Sequence, residues 1–401
     1  MFRSHRIIHS ILPVVAGLVL LVGTVPAQDF RDLHRTALVV DGHNDVLGRV
    51  MSGGDMESWG SVGHSDLPRF RAGGIDVQLF SIWVPSKRKG NEAWQYALDE
   101  IDSLKAIAAR NASVMGIALR GGDIERLVAD RKLASVIALE GGRCIDGRRD
   151  RIIELYRRGL RCFGLTWNFS SDWATCSQDE RAGKVRGGLS KKGKSFVRLL
   201  DSLGVLIDVS HLGARSFADV IATTRSPIIA SHSGCAALRD HHRNLTDTQL
   251  RAIAAGGGVA MMTYVPSFIF AGLDKKKQDR MRAYERQAAE LRKNHPDRGA
   301  AYLKAYDNML ASARKERLCT IDDVVRHVLH AVNVAGAAHV GLGSDFDGIG
   351  LTPVGLHDVT DLPLLTRALR NSGLTDEQIR GILGGNFLRV WNTVVKHGSD
   401  G

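Results

Sequence analysis

The chain has 401 residues, 44% of them hydrophobic and 24% charged, and a formal net charge of +11. That length holds one large domain or two modest ones, and the composition excludes a membrane-embedded protein and a disordered one. The basic residues are scattered apart from Lys275 to Lys277 and the stretch from Lys184 to Lys194, which indicates a solvated surface with an attraction for anionic envelope components and argues against nucleic-acid binding.

The first residues are expected to lie outside the fold. Arg3 and Arg6 make a basic start, Ile11 to Val22 is an apolar run, and Val25-Pro26-Ala27 is a small-residue cleavage signature. Residues 1–27 therefore read as a signal peptide, residues 28–401 as the mature domain, and the protein as exported, either periplasmic or secreted. The apolar run is short for a bilayer span and carries Pro13, no Cys follows the cleavage site, and the C-terminus is polar, so no stable membrane anchor is expected after cleavage. The five cysteines, Cys144, Cys162, Cys176, Cys235 and Cys319, show no C-x-x-C spacing. In an exported chain they allow one or two disulfides of undetermined pairing and leave one thiol over.

Apolar runs of strand length then alternate with longer amphipathic stretches, the pattern of repeated β-α units around a parallel sheet. The expected strands are Ala37 to Val40, Ile75 to Val84, Ser135 to Leu139, Cys162 to Thr166, Val205 to Val209, Pro227 to Ala230, Gly258 to Thr263 and His339 to Gly343. About eight strands close a (β/α)8 barrel, so the fold class is α/β, a TIM-like barrel.

Helices are expected from Asn91 to Ala109, with Trp94, Ala97, Ile101 and Leu104 on one face, and from Leu189 to Leu203. Thr246-Asp247 caps a helix ending at Gly256, and Thr320 to Ala335 opens with a hydroxyl and two acids where the helix dipole favours them. Thr375 starts another, which Gly384-Gly385-Asn386 is expected to break before a short final helix. From Ser267 to Leu318 the chain is rich in Lys, Arg, Glu and Ala, which reads as a helical insertion between strands seven and eight. An insertion at that face either covers the site or pads the outside, and the sequence leaves both open.

Residues at the ends of five strands carry chemistry. Strand one delivers His43 and Asp45, strand three Glu140, strand five His211, strand six His232 and strand eight Asp345. Each alone has a mundane explanation, but so many polar groups on one rim are costly to bury unless something binds them. Three imidazoles and three carboxylates suit a pair of borderline divalent ions, zinc above all, with a carboxylate such as Glu140 bridging them. A water shared by such ions becomes the nucleophile near neutral pH, and Asp345 would pass its proton to the leaving nitrogen.

These residues in this order resemble the membrane dipeptidase family, peptidase family M19, of the amidohydrolase superfamily. The resemblance runs from Val39 to about Trp391 and rests on Asp-Gly-His-Asn-Asp, Gln78-Leu-Phe-Ser, Leu-Glu-Gly-Gly, Ile-Asp-Val-Ser-His, Ser-His-Ser, Arg243-Asn244, Gly-Ser-Asp-Phe-Asp-Gly-Ile and Gly-Gly-Asn. It implies two zinc ions, one on His43 and Asp45, the other on His211 and His232, with Glu140 and a water or hydroxide between them. It implies hydrolysis of dipeptides, often with a D-residue at the carboxyl-terminal side, by Glu140 and Asp345. It also implies that Arg243 grips the substrate's carboxylate, that Asp345 meets its amino group, and that the protein is a homodimer.

One position departs from the family. Where the animal dipeptidases have a His after strand four, this chain reads Leu165-Thr166-Trp167-Asn168. Trp167 can donate one N–H but cannot exchange a proton, which makes it a pocket wall and leaves oxyanion stabilisation to Asn168 or to metal. The competing readings are a hydrolase of another small amide, such as an N-acyl amino acid or a β-lactam, and a metal-stabilised peptide-binding protein without catalysis.

Overall fold

A computed structural model describes residues 29–185 and 187–395, so the expected signal peptide lies outside the described residues. The strands are β1 (Val40–Asn44), β2 (Val77–Ile82), β3 (Met115–Ile117), β4 (Leu133–Glu140), β5 (Leu160–Gly164), β6 (Leu206–Asp208), β7 (Ile229–Ser233), β8 (Val259–Met262) and β9 (Val340–Leu342). They form one sheet in the order β1-β2-β4-β5-β6-β7-β8-β9, with every pairing parallel and β3 attached to β4 alone. The eight expected strands are thus found with shifted bounds, and β3, three residues long, is one that its sequence did not announce.

The sheet closes where β9 meets β1. Asp345 N–H donates to His43 O at 3.1 Å, and Asp45 N–H donates to Phe346 O at 2.9 Å. The Asp41 carboxylate reinforces the seam by accepting from Ser344 N–H at 2.6 Å and from its hydroxyl at 2.7 Å. A (β/α)8 barrel is the result.

Alternation along each strand sorts side chains into two cores. Val77 and Leu79 of β2, Ala134, Val136 and Ala138 of β4, and Val259 and Met261 of β8 share the inner cluster. Phe387, Val390 and Trp391 of the final helix join it, so that helix packs against the end of the barrel away from the polar rim. The opposite faces, including Phe80, Ile82, Ile137, Leu139 and Phe163, pack under the outer helices. Because β2 and β4 are in register, the inner-face period carries Ser81 and Glu140 inward at their last turn, where polar atoms replace the apolar filling.

The outer helices begin where their caps direct. The helix Asp247–Ala255 carries a capping box between Thr246 and Gln249, Ile321–Ala335 one between Thr320 and Asp323, and Asp376–Arg380 one between Thr375 and Gln378. The glycines expected to break the last of these do not: Gly381–Gly385 makes a π-helical turn leading directly into Asn386–Val394. Gly384 packs against Leu38 O and Val40, a closeness no side chain permits, so the turn is set by contact with β1 rather than by a helix stop. The insertion between β8 and β9 is helical, with helices Pro266–Ile269, Lys275–Asn294 and Ala300–Lys315.

All five cysteines are buried and unpaired, so neither of the allowed disulfides is present. Among the described residues no helix is long and apolar enough to cross a membrane.

Candidate metal centre and active site

Three irregularities in the strand register aim the side chains at the mouth. The β1–β2 pairing slips between Asp41 and Asn44, the β7–β8 pairing between Ala230 and Ser233, and the β4–β5 pairing between Ile137 and Ala138. The first two slips hold His43 and His232, and the third precedes Glu140. Both imidazoles therefore lie inside their strands rather than just past them, turned inward by a bulge as is common beside functional sites. His211 and Asp345 sit beyond the ends of β6 and β9 at φ of 67° and 63°, a left-handed backbone that costs a non-glycine residue energy.

The buried Glu140 lies at the centre. Its Oε1 is 2.9 Å from His211 Nε2 and 3.6 Å from His232 Nε2, while its Oε2 is 3.5 Å from His43 Nε2. His43 Nε2 is also 3.5 Å from Asp45 Oδ2 and has no hydrogen-bond partner among the described residues. Donor atoms of His43, Glu140 and His232 form one group within 4.8 Å of one another, and those of His43, Asp45 and Asp345 form a second. Gly348 lets the two acids come close, since a Cβ there would fall 2.2 Å from Asp45 Oδ2 and 2.6 Å from Asp345 Oδ1.

Residues not expected in that role from sequence set the tautomers. His211 Nδ1 is 2.9 Å from Asn168 Oδ1, and His232 Nδ1 is 2.8 Å from Ser231 Oγ, whose own hydroxyl donates to Asp208 Oδ2 at 2.6 Å. Both imidazoles then carry their proton on Nδ1, leaving two Nε2 lone pairs facing each other at 3.0 Å. Lone pairs that close repel unless a cation lies among them, so the donor set fits a metal. Ser81 donates to Glu140 Oε2 at 3.2 Å and belongs to the same supporting set. Of these, Ser81, Asp208 and Ser231 stand in the quoted motifs for a reason the structure makes visible. Asp208 lies in a quoted motif and Asn168 was expected at the substrate, but nothing in the sequence marked either one for orienting an imidazole.

Burial and neighbours divide the charge states. Burial pushes the Asp345 carboxyl well above the usual carboxylate range, and the nearby Asp45 adds to the effect. Burial would raise Glu140 too, but the His43 charge and the His211 contact outweigh it and hold Glu140 well below that range. His43, opposed by its burial, is raised well above the ordinary imidazole value by Glu140 and Asp45. His211 is pushed down to about 3 by burial and then by Arg243, and His232 falls well below its ordinary value through burial and the His43 charge. His211 and His232 are thus neutral beside an ionised carboxylate, as a divalent ion requires, while His43 would have to release its proton to bind one.

Arg243 reaches the rim from the loop after β7. Its Nη2 donates to His232 O at 3.2 Å, while its buried Nε and Nη1 have no partner among the described residues. Burial lowers its pKa to about 10, partly offset by Asp345. The guanidinium lies 5.3 Å over the Phe268 ring, and Asn244 Nδ2 donates to Phe268 O at 2.7 Å. The insertion is thus divided in its placement. Its first turn touches the site through Phe268, whereas Arg292 and Tyr306 of the long helices tie to Asp361 at 3.0 Å and to Gly355 O at 3.0 Å. Trp167 is half-buried beside Trp83 and Phe169, with its ring 6.3 Å from that of His211. Asn168, expected among the substrate contacts, has its side-chain oxygen committed to His211 instead.

A parallel barrel with imidazoles and carboxylates gathered at the carboxyl ends of its strands defines a class, the barrel hydrolases that work with metal ions. Comparison with known proteins narrows the class. The family model described as membrane dipeptidase, peptidase family M19, matches residues 27–400, and the chain belongs to that family. An uncharacterized dipeptidase of Schizosaccharomyces pombe is 30% identical over 384 residues, covering 91% of this chain and 82% of its own. Among solved structures, the probable dipeptidase PvdM of Pseudomonas aeruginosa superposes with a TM-score of 0.74 at 27% identity, over 92% of this chain and 98% of its own. A metallopeptidase of Rhodobacter sphaeroides shares the fold, with a TM-score of 0.74 at 23% identity over 89% of this chain and 99% of its own.

Proposed function

We propose that the protein is a binuclear zinc dipeptidase that cleaves the peptide bond of dipeptides, L-D pairs included. His43 and Asp45 would hold one ion, His211 and His232 the other, with Glu140 between them. Two such ions supply a water that ionises near neutral pH and a Lewis acid for the scissile carbonyl. Arg243 takes the substrate's carboxylate through Nε and Nη1, which have no partner among the described residues. Asp345 faces the amino group and carries the proton from the attacking water to the leaving nitrogen. Its raised proton affinity suits an acceptor in that role.

The observation that carries this reading is a buried guanidinium, two of whose nitrogens have no partner among the described residues, beside a cluster of imidazoles and acids. A hydrolase of another small amide, an N-acyl amino acid or a β-lactam, is the second reading, because Arg243 serves any substrate with a free carboxylate. Export is inferred from residues 1–27 alone.

The test is metal analysis of the purified chain with a panel of L-L, L-D and N-acylated compounds. Two zinc ions per chain and turnover of dipeptides are expected. Asp345→Asn keeps the metal and loses ~10²-fold or more of turnover. Turnover of acylated amino acids with none of dipeptides would transfer the assignment to the second reading.

A further inference from the structure

The rim is unequal on its two sides. After β2, β4 and β5, Trp83, Gly141 and Trp167 build a wall beside Glu140. Trp83 and Trp167 meet edge to face with ring centroids 5.1 Å apart, and Phe169 follows at 5.5 Å from Trp167. Arg143 fastens the wall: its guanidinium lies 5.8 Å over the Phe169 ring and donates to Ser86 O at 2.6 Å and to Arg88 O. Gly141, at φ of 85°, leaves only 2.9 Å between the place of a Cβ and Trp167 Cβ, so the wall has no room to retreat toward Glu140. What remains between them is a cavity of about 30 Å³. That admits one or two small groups and no more.

On the other side, a cavity of about 290 Å³ is lined by His211 and Arg243 with Ser177, Ser233 and His242. It is both larger and more polar.

Resting on the reading of a dipeptide held by Arg243 and Asp345, we propose that the site selects an amino-terminal residue no larger than alanine. The carboxyl-terminal residue is allowed to be large and polar. With the carboxylate taken after β7 and the amine after β9, the amino-terminal side chain is left to face the wall after β2, β4 and β5. The residue holding the carboxylate lies against the roomier cavity. Trp167 is then a specificity-determining residue, and the narrow slot disfavours bulky acyl groups as well.

The experiment measures kcat/KM on the zinc-loaded full chain for two series. One carries glycine, alanine, leucine or phenylalanine before a fixed alanine, and the other carries serine, glutamine or lysine after it. In the first series leucine and phenylalanine are expected to fall ~10-fold or more below alanine, and the second series to vary less than that. Trp167→Ala, or Phe169→Ala should the first variant not fold, raises the leucine-to-alanine ratio ~10-fold or more, with the second series as internal reference. Turnover without size dependence at the amino-terminal residue overturns this proposal and leaves the dipeptidase reading standing. An equal shift of both series in the variants overturns it as well. No turnover of any member overturns both.

Discussion

Replacing Arg243 by Met separates what this cation does for binding from what it does to the fold. Burial brings its pKa down from the ordinary guanidinium value to about 10. At about 1.4 kcal/mol per tenfold, the fold disfavours the charged form by roughly 3 kcal/mol at neutral pH, because the unfolded chain keeps the higher proton affinity. One hydrogen bond to His232 O and the face of Phe268 return about 1 kcal/mol each. Met fills much of the same volume without charge, so Arg243→Met should stabilise the protein by about 1 kcal/mol and raise the thermal midpoint by about 1–3 °C. Losing two charge-assisted bonds to a substrate carboxylate, at about 1.5–3 kcal/mol each, should lower kcat/KM by ~10²- to 10⁴-fold, mostly through KM. Thermal denaturation beside dipeptide kinetics reads both effects. A variant that is clearly less stable while its kcat/KM is unchanged would show Arg243 to be a structural tie and refute the reasoning.

Two further outcomes are expected. Asn168→Ala removes the oxygen that orients His211 and should weaken metal binding by ~10- to 100-fold in a chelator competition; unaltered affinity would leave Asn168 without a positioning role. His327 is buried between Cys235 N–H and Ile269 O, and burial lowers its pKa to about 4 against about 6.5 unfolded. Between those values only the unfolded chain binds the proton. Its contribution to stability is therefore complete above about pH 6.5 and declines toward pH 4, by up to roughly 3 kcal/mol. His327→Gln, whose amide donates to Ile269 O without titrating, should make the decline in urea-measured stability shallower by about one proton, and an identical slope would contradict this.

Much of the architecture is legible in one dimension because strand and helix periods are local. The apolar runs of β2 and β4 alternate as a half-polar strand end requires, and Thr246, Thr320 and Thr375 announce helix starts through caps that need only three following residues. The short β3 escaped because three residues carry no period, and the π turn at Gly381–Gly385 escaped because its cause, Leu38 O and Val40, lies far away in the chain.

Side-chain types at strand ends could be read directly, and they named His43, Asp45, Glu140, His211, His232 and Asp345 as candidates for one rim. Their aim could not be read. The register slips around His43 and His232 depend on the neighbouring strand, and the tautomers of His211 and His232 depend on Asn168 and on Ser231 with Asp208. The widths of the two cavities follow from how Trp167 rests against Gly141 and how the loop of Arg243 lies beside His211. Composition and spacing thus determine which groups are available and roughly where along each strand they occur. Only packing between segments distant in sequence decides the distances, the protonation and the room left for a ligand, because those are properties of pairs that the chain brings together by folding.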